Sequence, residues 1–311
     1  MPARPLEEEV IIGPNNYVNL VNQAKQQELE ISLISQIQSA RLKDEKKPAP
    51  KRKGLTDMWF WAGDGVGYGM QEDDVVFYHT DAANNPGFEN PAEFKRQVTG
   101  RDNAFFLDPK KSGDLEAKAN DSNDNSVHAI NISKYAREGL LKPYEHSTEF
   151  VYVEVSTEAL VQGKREFRKR YGDKITKLFD MAHGKEAYGK RGIGAKLQQK
   201  GKSNTRIYFL NPDYVKGKLL DKEKGTTLWR ASCVSGFDYH SIVDFSGRDL
   251  GDGDRHLRGV VRESGEAGTA EKGLPVMPYE TAQKELQKLV QPTSPLFKPI
   301  KDFVDRIYQA K

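Results

Sequence analysis

The stretch WFWAGDGVGYGM, residues 59–70, places a glycine at every second position (Gly63, Gly65, Gly67 and Gly69) directly after two tryptophans. Alternation at period two is the pattern of an extended strand, whose successive side chains point to opposite faces. All four glycines then share the face of Trp59 and Trp61, and that face is bare backbone over four positions. Something large, such as an aromatic ring, a helix or a ligand, can approach it closely. The run predicts a strand packed against a bulky neighbour, and packing is favoured over a binding surface. A dinucleotide site is excluded. Its G-x-G-x-x-G fingerprint opens a helix so that phosphate meets the helix N-terminus. Here the third glycine would fall on Tyr68 or Met70, and the acidic, strand-like QEDDVVFYH follows.

Further extended runs follow at 73–80, 103–109, 126–135 and 148–156, the last alternating Val151, Val153 and Val155 against Phe150 and Tyr152. DPKKSGDLEAKANDSNDNS, rich in Asp, Asn and Ser, reads as an exposed loop. Two segments read as long helices. Residues 15–42 carry a stripe of Tyr17, Leu20, Ala24, Ile31 and Ile34, capped by Asn15 or Asn16, with no glycine or proline inside. Residues 157–182 repeat Leu160, Phe167, Tyr171, Ile175, Leu178 and Ala182, with a strongly basic opposite face. RIYFLNPDYV and TTLWRASCVSGFDYHSIVDF are strand-like, and helices are expected over 279–290 and 299–310. The sum is an α+β fold: a mostly antiparallel sheet region, flanking helices and an N-terminal helical arm.

The proline-containing KDEKKPAPKRKG, residues 43–54, reads as an extended, solvated linker. The chain accordingly divides into an arm and linker, 1–54, and a body, 55–311, with a sub-boundary near 184–205. A stripe such as Leu20, Ile31 and Ile34 must be buried against the body or another chain. Those three residues are the expected oligomerisation contacts, in a homo-oligomer or larger assembly. KKPAPKRK also resembles a short nuclear-import signal or a basic arm for a polyanion.

Composition limits the remaining classes. Mean hydropathy is −0.73, and no run of 18 apolar residues exists, so no membrane partner is expected. The N-terminal MPARPLEEEV lacks the apolar region of a secretory signal. One cysteine, Cys233, allows no internal disulfide and fits a reducing, intracellular compartment, with a nucleus or a virion as further expectations. Net charge is only +3, so any polyanion argument rests on where the charges sit.

They sit densely over 164–206. The helix face carries Arg165, Arg168 and Lys169, and the glycine-rich segment after it carries Lys190, Arg191, Lys200 and Lys202. Glycines admit a phosphate close to the backbone, and clustered cations gain affinity by counterion release. These seven residues are the candidate polyanion contacts, with nucleic acid as the partner expected. Gly201-Lys202-Ser203 ends like a P-loop, but Lys196 stands where that signature needs glycine. Asp252, Asp254, His256 and Glu263 mimic calcium-loop spacing, yet Leu257 occupies the obligatory glycine position. Cys233 and His240 lack a feature that would lower the thiol pKa, so Cys233 reads as a core residue. No metal ligands, catalytic residues or cofactor are assigned. His79 in VVFYHTDAANN resembles the strand ending in Tyr-His of ADP-ribosyltransferase-like folds, which implies a transferase or toxin using 59–106; no downstream glutamate motif pairs with it. The leading expectation is a non-enzymatic structural or assembly protein of a large complex such as a virion, contacting a polyanion; a non-specific nucleic-acid-binding protein is the remaining alternative.

Overall fold

The computed structural model describes residues 7–15, 17–81, 85, 86, 93, 96, 97, 105–124, 126–237, 241–245 and 256–262. In chain order the strands are β1 (Glu7–Ile12), β2 (Glu30–Ile31), β3 (Phe60–Gln71), β4 (Asp74–Thr80), β5 (Phe105–Leu107), β6 (Val127–Asn131), β7 (Lys142–Pro143), β8 (Phe150–Ser156), β9 (Asn204–Leu210), β10 (Thr227–Val234), β11 (Ser241–Asp244) and β12 (His256–Arg262). The helices are α1 (Tyr17–Gln26), α2 (Ile34–Glu45), α3 (Pro109–Asn120), α4 (Ile132–Arg137), α5 (Thr157–Val161), α6 (Lys164–His183), α7 (Ile193–Gln199) and α8 (Pro212–Leu219). The two expected C-terminal helices and the calcium-like loop at 252–255 lie outside the described residues, as does His240.

The fold is α+β. The strands join in one mostly antiparallel sheet, ordered β1-β12-β3-β10-β11-β9-β8-β7, with β4 and β6 branching from β3. Only the β12–β3 and β11–β9 pairs are parallel among those described. β3 is its centre. One edge pairs with β10 along most of its length, and the other takes β12 at Phe60 and Trp61, then β4 from Gly65 onward. Helices cover both faces. Ile34, Phe167, Phe179, Leu197 and Val215 pack with Phe60, Val66 and Tyr68 on one side. On the other, Tyr17, Leu20, Val21 and Leu115 pack with Trp61, Tyr78 and Trp229.

The glycine ladder is filled by this second layer. Gly67 and Gly65 lie opposite Trp229 and Ala231 of β10. A Cβ placed on Gly67 would stand 2.8 Å from both Thr227 Cγ2 and Trp229 Cε3. Asn85 ties the layer together: its Oδ1 accepts from Trp229 Nε1 (3.2 Å), and its Nδ2 donates to Gly63 O (3.0 Å) and to Tyr17 Oη (3.3 Å).

The N-terminal segment corrects the sequence reading. One helix is expected over 15–42, but the chain turns at Glu28, where φ is 53°, and residues 30–31 form β2 against β12. The edge of β12 at Gly259 and Val260 captures a segment that helical spacing alone would have kept in a helix. Leu20 and Ile34 are fully buried and Ile31 is 8 % exposed, all within this chain. The three expected oligomerisation contacts are therefore consumed by its own core, at roughly 1.5–3 kcal/mol each. β1 pairs with β12 over six residues, so the segment from Glu7 onward belongs to the sheet and core that the arm was expected to leave.

Candidate nucleic-acid interface

The basic region is built on three helices rather than one helix and a loop. α5 starts at Ser156, whose Oγ accepts from Glu158 N. It stops at Gly163 (φ 101°), and α6 is itself kinked at Gly172 (φ 78°, ψ 176°). That backbone region is essentially restricted to glycine, which is why a continuous apolar stripe does not give a continuous helix. Within α6, Phe167, Ile175, Leu178, Phe179 and Ala182 face the sheet, leaving the cations outside.

The glycine-rich segment is also ordered. A 3-10 turn at Gly184–Ala187 leads into α7, whose Ile193 and Leu197 are buried in the core. The expectation that its glycines admit phosphate is corrected at two of them. A Cβ on Gly194 would stand 2.5 Å from Leu160 Cβ, and one on Gly192 would stand 2.8 Å from Glu186 O. These glycines serve the close packing of α7 on α5 and of the turn before it. Thr157 Oγ1 adds to the joint by donating to Lys202 O (2.9 Å) and Ser203 O (3.0 Å).

The seven candidate cations then separate into two groups. Arg168 is ion-paired with Asp173, Lys169 with Glu166 (2.8 Å) and Lys200 with Asp57 (3.6 Å). Arg168 and Lys169 spend charge on acids of their own helix. Arg165, Lys190, Arg191 and Lys202 have no acid at ion-pair distance among the described residues. The first three are exposed and Lys202 is half-buried. Tyr188 packs its ring edge-to-face with Phe167 at 5.4 Å, so the segment leading into Lys190 and Arg191 is fixed beside the first turns of α6. The cations thus stand at the α6 start and at the two ends of α7, elements joined through α5 and the 3-10 turn.

Beneath this surface lies a polar interior that the sequence did not reveal. Arg41 of α2 is fully buried; it donates to the carbonyls of Leu55, Met58 and Ser235 and lies 5.4 Å from the ring centroids of Phe60 and Phe237. Burial pulls its pKa down to about 9, partly offset by Asp57 and Cys233, so it stays charged at neutral pH. His183, at the end of α6, is 1 % exposed, and neither ring nitrogen has a hydrogen bond among the described residues. Burial, and then the charge of Arg41, lower its pKa to about 3.

His79 sits in β4 with its Nε2 2.8 Å from Asp64 Oδ1, and both side chains are buried. Asp64 Oδ2 also accepts from Ile34 N, supplying the N-terminal cap of α2 that Leu33 cannot. The imidazole of His128 lies parallel to that of His79 at 6.4 Å. His79 is thus buried beside the carboxylate that caps the α2 start. Cys233 is fully buried opposite Trp61. No group of metal-ligating side chains occurs among the described residues. No described helix is long and apolar enough to cross a membrane.

No protein-family model matches the chain, and no curated protein matches it. One solved structure, described as "Accommodation of massive sequence variation in Nanoarchaeota by the C-type lectin fold", is similar at 13 % identity. The likeness covers 84 % of this chain and 100 % of the other, with a TM-score of 0.46. At that distance it carries no inference about function.

Proposed function

We propose that this chain is a nucleic-acid-binding protein that reads phosphate backbone without sequence preference through the junction of α6 and α7. The observation that supports it is the placement of Arg165, Lys190, Arg191 and Lys202 around one junction with no acid at ion-pair distance among the described residues, on elements whose other faces are fixed in the core. Arg165 stands on α6, and Lys190, Arg191 and Lys202 stand in the turns at the two ends of α7, whose Ile193 and Leu197 are fixed in the core. Lys200, Arg168 and Lys169 stand beside them and can exchange their surface acids for phosphate, because exposed ion pairs are weak. An assembly role would then run through nucleic acid, since Leu20, Ile31 and Ile34 are buried in the chain.

Fluorescence anisotropy of labelled oligonucleotides across a salt series tests this. About six phosphate contacts at these cations alone contribute about −5 to the log–log salt slope on duplex DNA and about −4 on a single strand. Oligonucleotides of unrelated sequence should bind within about threefold of one another, because backbone contacts carry no sequence information. Absence of binding at low salt would remove the proposal.

A further inference from the structure

We infer that residues 46–53 form a second wall of the same surface, held there by Asp44, and that the two walls together take the phosphodiester backbone of a nucleic acid. This rests on the α6–α7 reading above. In place of an extended linker, the segment is folded. α2 runs through Glu45, and a 3-10 turn spans Ala49–Lys51. The Asp44 carboxylate, 3 % exposed, accepts from Lys53 N (3.0 and 2.9 Å), from Leu55 N (3.3 Å) and from Lys47 Nζ (3.0 Å). Arg52 Nε closes the loop on Lys47 O at 2.9 Å. Burial works to raise the Asp44 pKa, but those hydrogen bonds outweigh it and the group lies below the usual carboxylate value. An ionised acid is therefore turned inward, where it organises a basic loop.

α7 meets this loop at both ends. Lys196 reaches Glu45, just before it, at 3.5 Å, and Lys200 reaches Asp57, just after it, at 3.6 Å. Two basic segments about 145 residues apart in sequence are so tied to one another through Glu45 and Asp57, the acids on either side of the loop. Lys51, Arg52 and Lys53 all remain exposed. Phosphate backbone suits this pairing because its charges repeat along a line, so two adjacent rows of cations can be engaged together. In this account Asp44 is a positioning residue.

The experiment compares the full chain with Lys51→Ala/Arg52→Ala/Lys53→Ala and with Asp44→Ala, using anisotropy of a labelled mixed-sequence duplex over a salt series and a melting curve for each protein. The triple variant should make the salt slope shallower by about 2–3, at about 0.9 for each phosphate no longer neutralised, with an unchanged melt. Asp44→Ala makes the chain more basic by one charge, yet it should weaken binding and move the slope toward that of the triple variant. If the parent chain binds and the triple variant keeps its slope, this inference is overturned while the α6–α7 reading stands. If the parent does not bind, both fall. Asp44→Ala binding as tightly as the parent, or more tightly, would show net charge alone at work and remove the positioning role. Should Asp44→Ala fail to fold, the triple variant decides.

Discussion

Gly65 has no room for a side chain. A Cβ there would overlap Trp229 Cζ2 and lie 2.8 Å from Thr80 Oγ1 and 2.9 Å from Asn85 Cγ. Gly65→Val should lower stability by ~1–3 kcal/mol through overpacking, read from a urea or thermal melt. An unchanged midpoint would contradict the packed ladder. This part of the fold was legible in the sequence, because period-two glycines have one strand face and something must cover it. The identity of the cover, Trp229, was not, because pairing of β3 with β10 spans about 160 residues. His183 makes a second residue-scale case. Unfolded histidine titrates near 6.5, and the folded side chain is held at about 3 by burial and by Arg41. Below about pH 6.5 the unfolded chain takes up a proton that the fold refuses, so stability falls as pH drops toward 3. The loss by pH 5 is about 2 kcal/mol. His183→Leu removes the titrating group and leaves no hydrogen bond unmade, since neither nitrogen has one among the described residues. Its urea midpoint should therefore fall less than that of the parent between pH 7 and 5. Equal falls would contradict the assignment.

At the scale of elements, most errors of the sequence reading share one cause: local pattern was overridden by a neighbour or a single backbone position. The stripe of 157–182 continued straight through Gly163 and Gly172, because apolar spacing says nothing about φ. DPKKSGDLEAKAN looked like a loop by composition, yet Asp108 Oδ1 accepts from Lys111 N and Pro109 opens α3. The Asp-Pro pair was a readable helix start that loop composition masked. Asn211-Pro212 opens α8 in the same way. Two glycine substitutions test the account in opposite directions. Gly172→Ala forces a side chain into the kink conformation and should cost ~1–3 kcal/mol, although nothing lies within 4 Å. Gly113→Ala, exposed inside α3 with equally open space, should stabilise by ~0.5–1 kcal/mol. The same sign for both in a denaturant titration would contradict the kink as a backbone requirement.

Across the whole molecule, the sheet places helices on both faces, and the cations of α6 and of the turns flanking α7 lie on the outside. Charge density over 164–206 was visible in the sequence, but its pairing was not. Only the structure shows that Arg168 and Lys169 face acids of their own helix while Lys190 and Arg191 face none among the described residues, and that Glu45 and Asp57, on either side of residues 46–53, reach Lys196 and Lys200. The apolar residues of the N-terminal helices were recognised as a buried stripe; that the burying surface is this same chain depends on long-range pairing with β12. The most direct measurement of the central claim is the salt dependence of duplex binding by Lys190→Ala/Arg191→Ala/Lys200→Ala/Lys202→Ala beside the parent. The α7 side chains that hold the core, Ile193 and Leu197, are untouched, so the melting midpoint should stay in place. The account predicts a log–log slope shallower by about 3–4 units, about 0.9 for each phosphate that loses its cation. A slope equal to the parent's, in a variant that melts normally, would contradict it.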